Sequence, residues 1–307
     1  MINTRITICL AVVCVMAVVN TASADIFGTG VNQFNIDFVP ISGSTNPASG
    51  YGIVNNDYRM GTYEISNDQW TKFKAAYGAV TGSPLTAYGS DPYYTGTNVP
   101  TNNVSWYEAA QFVNYLNIST NHEVAYKFTG TQGTSNYTLG VWQSGDIGYN
   151  ADNPYRNSNS FYFLPTEDEW VKAAYWNGTS LQTYANVSTS DLFGGIPDLM
   201  KWNYNGSQPW AVGSGVQELN GTYDMMGNAF EWMESPYLSG NYLSDSNRGI
   251  RGGSSYNTAS NLMSSSRDAD YPHDEYEVFG FRVASVPEPA TLSLLALGGL
   301  VLRRRKK

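Results

Sequence analysis

Three stretches of the chain combine a helix-start signal with an apolar stripe at helical spacing. In each one, a Ser or Thr is followed three residues later by Glu or Gln, the pattern of a capping box. The pairs are Ser66 with Gln69, Ser105 with Glu108, and Thr166 with Glu169. Apolar residues follow at i, i+3, i+4 or i+7, as in Trp70, Phe73 and Tyr77. The pattern therefore predicts three helices, each with one buried face.

The rest of the chain is rich in turn residues and in short runs that favour strands. The segments 58–64 and 280–284 are strand candidates. Between them, Gly, Asn, Ser and Tyr dominate, and no internal repeat is evident. We therefore expect an α+β fold that is low in regular secondary structure, with three main helices and short strands.

The first 24 residues have the features of a secretory signal. Arg5 precedes an apolar run, and Ala22-Ser23-Ala24 is a small-x-small cleavage site, which predicts a mature chain beginning at Asp25. A short N-terminal anchor is the alternative, but the run is short for a membrane span.

The other end combines Val286-Pro-Glu-Pro-Ala-Thr291, an apolar segment and the basic tail 303–307. It resembles the PEP-CTERM sorting signal of Gram-negative bacteria, which implies an exosortase-type protease as partner. A basic tail stays on the cytoplasmic side and leaves the globular part outside. The apolar segment is shorter than the ~20 residues of a stable span, so we expect transient inner-membrane association through residues 290–302. A permanent anchor is the alternative.

Charge and cysteine content narrow the possible functions. The formal net charge is −9, and residues 25–286 alone carry −14, because the excluded ends contribute +5. Such a surface argues against nucleic acid as a partner. Both cysteines, Cys9 and Cys14, lie inside the predicted signal, so the mature chain has no thiol. Its stability must come from an apolar core in which aromatic residues are abundant.

The segment 221–232, Gly-Thr-Tyr-Asp-Met-Met-Gly-Asn-Ala-Phe-Glu-Trp, fits neither helix nor strand periodicity. It resembles a signature of the formylglycine-generating enzyme (sulfatase-modifying factor) family, with Thr222 and Phe230 as departures from the usual leucine and tryptophan. Further resemblances to family motifs occur in the same order at residues 63–70, 103–109, 163–170, 251–254 and 280–282. The resemblance covers about 58–284 and implies the C-type-lectin-like α+β fold. We expect the domain to span residues 25–285, followed by the sorting signal at 286–307.

In active family members, two cysteines bind copper and oxidise a cysteine of a sulfatase. Those positions fall at or near Asn257 and Leu262 in this chain. A cuprous ion needs soft sulfur ligands, which neither residue supplies. We therefore expect neither copper nor the family's cysteine oxidation.

The resemblance also implies calcium as a structural cofactor. Carried over from the family, one site uses the side chains of Asp224 and Glu231 with the carbonyls of Gly227 and Ala229. A second site begins at Asn186 and the Val187 carbonyl, with further ligands near Asn203 and Asn205. The alternative is that Asp224 and Glu231 only accept hydrogen bonds from backbone amides of the loop.

Other polar residues favour structural roles. His122 and His273 are far apart in sequence and predict surface positions, and the acidic run around His273 predicts a solvated loop. Arg251 and Arg282 are predicted ion-pair partners within the fold.

These observations favour an exported, non-catalytic binding module at the cell surface or in the extracellular matrix of a Gram-negative bacterium. The partner would be a polysaccharide or a surface protein, bound through loops within 83–102 and 126–160. The alternatives are an oxidoreductase-like family enzyme with altered, non-cysteine chemistry and a purely structural matrix protein.

Overall fold

The computed structural model describes residues 23–186 and 188–287. It contains three α-helices, α1 (Asn67–Tyr77), α2 (Trp106–Ser119) and α3 (Glu167–Tyr175). Each begins at a complete capping box on Ser66, Ser105 or Thr166, in which the cap side chain and the Gln or Glu at the third helical position bond each other's backbone N–H. The three predicted helices are confirmed.

The strands are short and numerous. In chain order they are β1 (Ser23–Phe27), β2 (Phe34–Ile41), β3 (Tyr58–Gly61), β4 (Phe128–Thr129), β5 (Thr138–Leu139), β6 (Tyr162–Phe163), β7 (Leu192–Phe193), β8 (Ile196–Pro197), β9 (Phe230–Pro236), β10 (Arg248–Arg251), β11 (Asp268–Asp270), β12 (Phe279–Gly280) and β13 (Ala284–Ser285). The prediction of one strand over 280–284 was wrong. The chain leaves one sheet after Gly280 and enters another at Ala284, with Arg282 between them.

The main sheet joins the two ends of the domain. Its strand order is β1-β2-β3-β13-β6, and all neighbours are antiparallel. The Arg59 guanidinium donates to both carboxylate oxygens of Asp25, at 2.9 and 2.6 Å, and to the Ser285 hydroxyl at 2.9 Å. One buried side chain therefore ties the first strand to the last. Ser23 and Ala24, which precede the predicted cleavage point, already pair with β2.

A second sheet carries the segment 230–236. Its order is β11-β10-β9-β12, with β9 and β12 parallel and Gly280 opposite Glu231. The remaining strands form two small hairpins, β4–β5 and β7–β8.

The core consists of two apolar clusters. The first packs aromatic residues of α1 and α2, such as Trp70 and Phe112, beneath the main sheet. The second surrounds α3 and includes Trp170, Met225 and Leu262. Because the described ranges contain no cysteine, their stability comes from this aromatic-rich packing and not from disulfides.

No helix in the described ranges has the length and apolarity needed to cross a membrane. The predicted signal (all but its last two residues) and the predicted membrane-associated segment 290–302 lie outside the described residues.

Candidate functional site

The signature segment is a tight loop whose backbone repeatedly enters the left-handed region. Gly221 (φ 87°), Asp224 (60°), Gly227 (87°) and Asn228 (62°) all have positive φ. Only glycine fits at position 227, because a Cβ there would lie 2.1 Å from the Asn203 carbonyl oxygen. Asp and Asn tolerate this conformation better than other side chains. The loop thereby turns Asp224 and Asn228 toward the protein interior.

An ion pair without solvent exposure lies directly behind the loop. The Arg282 guanidinium donates to both oxygens of Glu231 at 2.7 Å, and the Trp170 indole N–H donates to the same carboxylate at 2.8 Å. Both charged side chains are 0% exposed. The parallel pairing of Gly280 with Glu231 explains the contact, because Arg282 follows two residues later. The prediction that Arg282 is an ion-pair partner is confirmed. Arg251 is likewise paired, with Glu167 at 2.9 Å.

Two further buried carboxylates join this cluster, and the sequence interpretation missed both. Glu64 accepts the Asn228 amide at 2.6 Å and the Ala229 backbone N–H at 2.9 Å. Glu218 accepts the backbone N–H groups of Met225 and Met226 at 3.0 and 3.1 Å. Glu64 lies in a recognised motif, and Glu218 lies three residues before the signature. Only Glu64 could therefore have been found from its position in a family motif.

We call Glu64, Glu218, Asp224, Glu231 and Arg282 the acid cluster. Burial raises the pKa of Glu218 to about 8, against the opposing charge of Arg282. Burial also raises the pKa of Asp224 to about 6, although the Gly213 N–H bond and Arg282 favour its ionised form. The pKa of Glu64 is raised well above its ordinary value by burial and by the neighbouring Asp224 and Glu231. Burial therefore disfavours the ionised forms of Glu64, Glu218 and Asp224, and Arg282 is the single guanidinium of the cluster that opposes this effect.

The cluster has oxygen lone pairs to offer a hard cation. A carboxylate has about four acceptor positions; Glu231 accepts three hydrogen bonds, and Asp224 accepts one, from the Gly213 N–H at 2.6 Å. Within the described ranges, no three carboxylates, imidazoles or thiols form a metal-binding group. A calcium ion at Asp224 would therefore draw mainly on carbonyl and amide oxygens, which calcium accepts. Oxygen ligands of this kind suit calcium, but Glu231 already pairs with Arg282, so the calcium site stays a prediction from the family resemblance.

The residues predicted for the second calcium site make contacts in different parts of the fold. The Asn186 side chain donates to the Ser188 carbonyl at 2.9 Å. Val187 lies outside the described residues. Asn203 contacts the signature loop, where its side-chain amide donates to Asn228 Oδ1 at 2.9 Å. Asn205 donates its backbone N–H to the Asn257 carbonyl. The structure therefore brings Asn203 to the first loop and Asn205 to the segment after Ser254.

Asn257 and Leu262 both have structural contacts. Asn257 Oδ1 accepts the Ser254 N–H at 2.8 Å and the Ser254 hydroxyl at 2.7 Å, closing a small turn. The Leu262 side chain is fully buried in the second apolar cluster. Neither side chain offers a reactive atom.

The remaining candidates are structural. Glu169 bonds the Thr166 N–H in its capping box and pairs with Arg156 at 2.8 Å. His122 stacks on Phe161, and His273 lies 3.6 Å from Asp274. These two histidines belong to separate contacts.

Comparison with known proteins identifies the family of the chain and its sorting motif. Residues 28–286 match the family model of the sulfatase-modifying factor enzyme 1-like domain, and residues 285–307 match that of the PEP-CTERM protein-sorting motif. A curated relative, chaperone protein LppX of Paenibacillus barcinonensis, is 27% identical over 206 residues. That match covers 62% of this chain and 66% of the relative, just under two thirds of its length.

Solved structures show the same fold at low sequence identity. Treponema denticola variable protein 1 has a TM-score of 0.61 at 22% identity, covering 87% of this chain and all of that one. The crystal structure of CarF has a TM-score of 0.58 at 21% sequence identity, and the match covers 82% of this chain and 99% of that one. The structure of PvdO from Pseudomonas aeruginosa has a TM-score of 0.52 at 16% sequence identity, and the match covers 87% of this chain and 92% of that one. The predicted C-type-lectin-like α+β fold is confirmed. The chain belongs to the sulfatase-modifying factor enzyme 1-like family and carries a PEP-CTERM export and sorting motif.

Proposed function

We propose that this protein acts outside the cytoplasm as a non-catalytic binding module. One observation carries the proposal: the positions where active relatives hold a copper-binding cysteine pair fall at or near a turn-forming Asn257 and a core Leu262. No cysteine follows Cys14 in the sequence. The family scaffold therefore has no thiol there to bind copper.

The surface beside Asn257 is suited to binding. Tyr93 and Tyr256 are 67% and 46% exposed, and the Tyr94 hydroxyl bonds that of Tyr256. We call these three residues the tyrosine face. The Asn102 side chain fixes loop 83–102 by accepting hydrogen bonds from the backbone N–H groups of Tyr93 and Tyr94 at 2.7 and 3.1 Å.

Rigid aromatic anchors with polar tips favour contacts to polysaccharide or to a surface protein. Two of the three anchors lie within the predicted binding loop 83–102. The second predicted loop, 126–160, contains buried residues such as Tyr126, which donates to Glu234. We therefore assign binding to the tyrosine face.

Calcium is proposed as the structural cofactor of the acid cluster. Asp224 and Glu231 would supply side-chain oxygens, and Gly227 and Ala229 would supply carbonyls. The support is that the cluster contains four buried carboxyl groups and one guanidinium. A divalent cation would stabilise the ionised forms of these carboxyl groups. A second ion at Asn186 and Val187 remains a prediction from the family resemblance.

The sorting motif implies recognition by exosortase-type machinery and sorting to the cell surface. We propose that the protease cleaves near Pro287 and that residues 290–302 hold the chain at the inner membrane only until then. The mature domain would be released to the surface or matrix of a Gram-negative bacterium.

Binding of the purified exported protein to matrix polysaccharide, measured with calcium and with EDTA, tests the proposal. We expect binding that Tyr93→Ala and Tyr256→Ala weaken. Phe193→Ala, which removes another exposed aromatic ring in the β7–β8 hairpin, should leave binding unchanged. Absence of binding to polysaccharide and matrix protein alike would contradict the role. Stoichiometric copper or iron with oxygen consumption would instead establish the alternative, an enzyme with altered chemistry.

A further inference from the structure

A second candidate binding site lies where the signature loop meets the main sheet. It is a surface pocket of about 340 Å³ whose walls include Asp37, Tyr63, Gln217 and Tyr223. Ser23 and Ala24, the two residues before the predicted cleavage point, also line it, so cleavage there would widen the pocket. Pockets that bind small ligands start at roughly 300 Å³, so this one suits a ligand of one or two sugar units. It shares no lining residue with the tyrosine face or with the acid cluster.

Two tyrosine rings form one wall of the pocket. The ring centroids of Tyr63 and Tyr223 are 5.2 Å apart, with an angle of 34° between the planes. At this spacing the rings contact each other and present a joint aromatic surface. Such a surface packs against the C–H face of a pyranose ring by burying apolar area on both sides.

The backbone fixes both rings in place. The Tyr223 N–H donates to the Thr62 carbonyl at 2.9 Å, and the Thr62 N–H donates to the Asp37 carbonyl at 2.7 Å. Gly213 packs so closely on Tyr63 that a Cβ there would lie 2.5 Å from the ring. A preformed wall loses little conformational entropy when a ligand binds.

The other walls carry oxygen and nitrogen groups suited to hydroxyls. Asp37 and Gln217 have exposed side chains, and a carboxylate with a carboxamide can both accept from and donate to sugar hydroxyls. Gly221 packs against Val39, since a Cβ there would lie 3.2 Å from that side chain. No Lys or Arg occurs among the described residues that line the pocket. With a net charge of −14 on residues 25–286, an anionic ligand is disfavoured.

We propose that this pocket binds one sugar unit of a neutral polysaccharide. The pyranose ring lies against Tyr63 and Tyr223, and its hydroxyls bond Asp37 and Gln217. The proposal rests on the glycan-binding role proposed above, but it assigns a separate site with its own specificity.

Saturation-transfer NMR on the exported protein tests the pocket with glucose, galactose and N-acetylglucosamine as separate probes. We expect at least one sugar to bind with a Kd on the order of 1 mM. Asp37→Asn and Gln217→Ala each remove an exposed polar group and should weaken binding about fivefold. Tyr223→Leu, which keeps the bulk but loses the ring, should abolish the signal.

Two substitutions outside both proposed sites serve as controls. Asp152→Asn removes an exposed carboxylate, and Phe193→Ala removes an exposed aromatic ring; both should leave sugar binding unchanged. Saturation transfer from none of the three sugars overturns the pocket, and so does transfer that Asp37→Asn, Gln217→Ala and Tyr223→Leu all leave intact. Polysaccharide binding that depends on Tyr256 would in that case still support the proposed function.

Discussion

Replacing Asp224 by Asn removes one buried negative charge from the acid cluster with little change in shape. Asparagine tolerates the left-handed conformation at this position (φ 60°) and keeps an oxygen to accept the Gly213 N–H. The substitution therefore isolates the electrostatic cost of the carboxylate. Without calcium, we expect the variant to be more stable than the parent at neutral pH.

The magnitude follows from the pKa. Burial raises the pKa of Asp224 from 3.8 to about 6. Because one pKa unit corresponds to about 1.36 kcal/mol, ionising this buried group lowers the free energy of unfolding by up to about 3 kcal/mol. The folded state holds the proton more tightly than the unfolded state. The penalty is therefore absent below about pH 4, grows as the pH rises to about 6, and stays constant above it.

Thermal and urea unfolding in EDTA, measured from pH 4 to pH 8, provide the assay. The difference in unfolding free energy between Asp224→Asn and the parent should be near zero at pH 4 and reach up to about 3 kcal/mol at pH 8. Asp152→Asn, at an exposed site, should show no such trend.

Adding calcium should narrow this difference in stability if the ion uses Asp224. An ion at 100 times its Kd stabilises the folded parent by about 2.7 kcal/mol, and the variant should gain less. A variant that is less stable than the parent in EDTA at every pH would refute the charge argument. Equal calcium stabilisation of both proteins would remove Asp224 from the calcium site.

Three further predictions address the scaffold. Arg282→Met should destabilise the domain by about 3–5 kcal/mol, because it leaves Glu231 buried without its guanidinium partner. Urea unfolding measures this loss, and a loss below about 1 kcal/mol would contradict the assigned pairing. Ser105→Ala should cost about 1 kcal/mol by removing the cap of α2, as thermal unfolding can show; an unchanged midpoint would argue against the cap. Arg59→Ala should destabilise the domain by about 3–5 kcal/mol, because Asp25 loses its guanidinium partner and keeps only the Tyr162 hydroxyl among the described side chains. The β1 amides should then exchange faster in hydrogen-exchange experiments, and full protection of β1 would contradict this.

Much of the local structure was predictable because its causes lie within a few residues. A capping box needs only a Ser or Thr and the residue three positions later, so Ser66, Ser105 and Thr166 marked all three helix starts. The glycines of the signature likewise marked the loop. The absence of cysteine after Cys14 is likewise visible in the sequence alone.

The sequence also determined the fold class and the sorting motif, through motifs in a recognisable order. Only the tertiary structure decided which charges meet. Glu231 and Arg282 are 51 residues apart, and Glu64 and Asn228 are 164 apart. Their pairing depends on the path of the backbone between two sheets, where the chain crosses from Gly280 to Ala284. Burial of these carboxylates, and the contact of Tyr63 with Tyr223, follow from that path because desolvation and packing depend on distance in space.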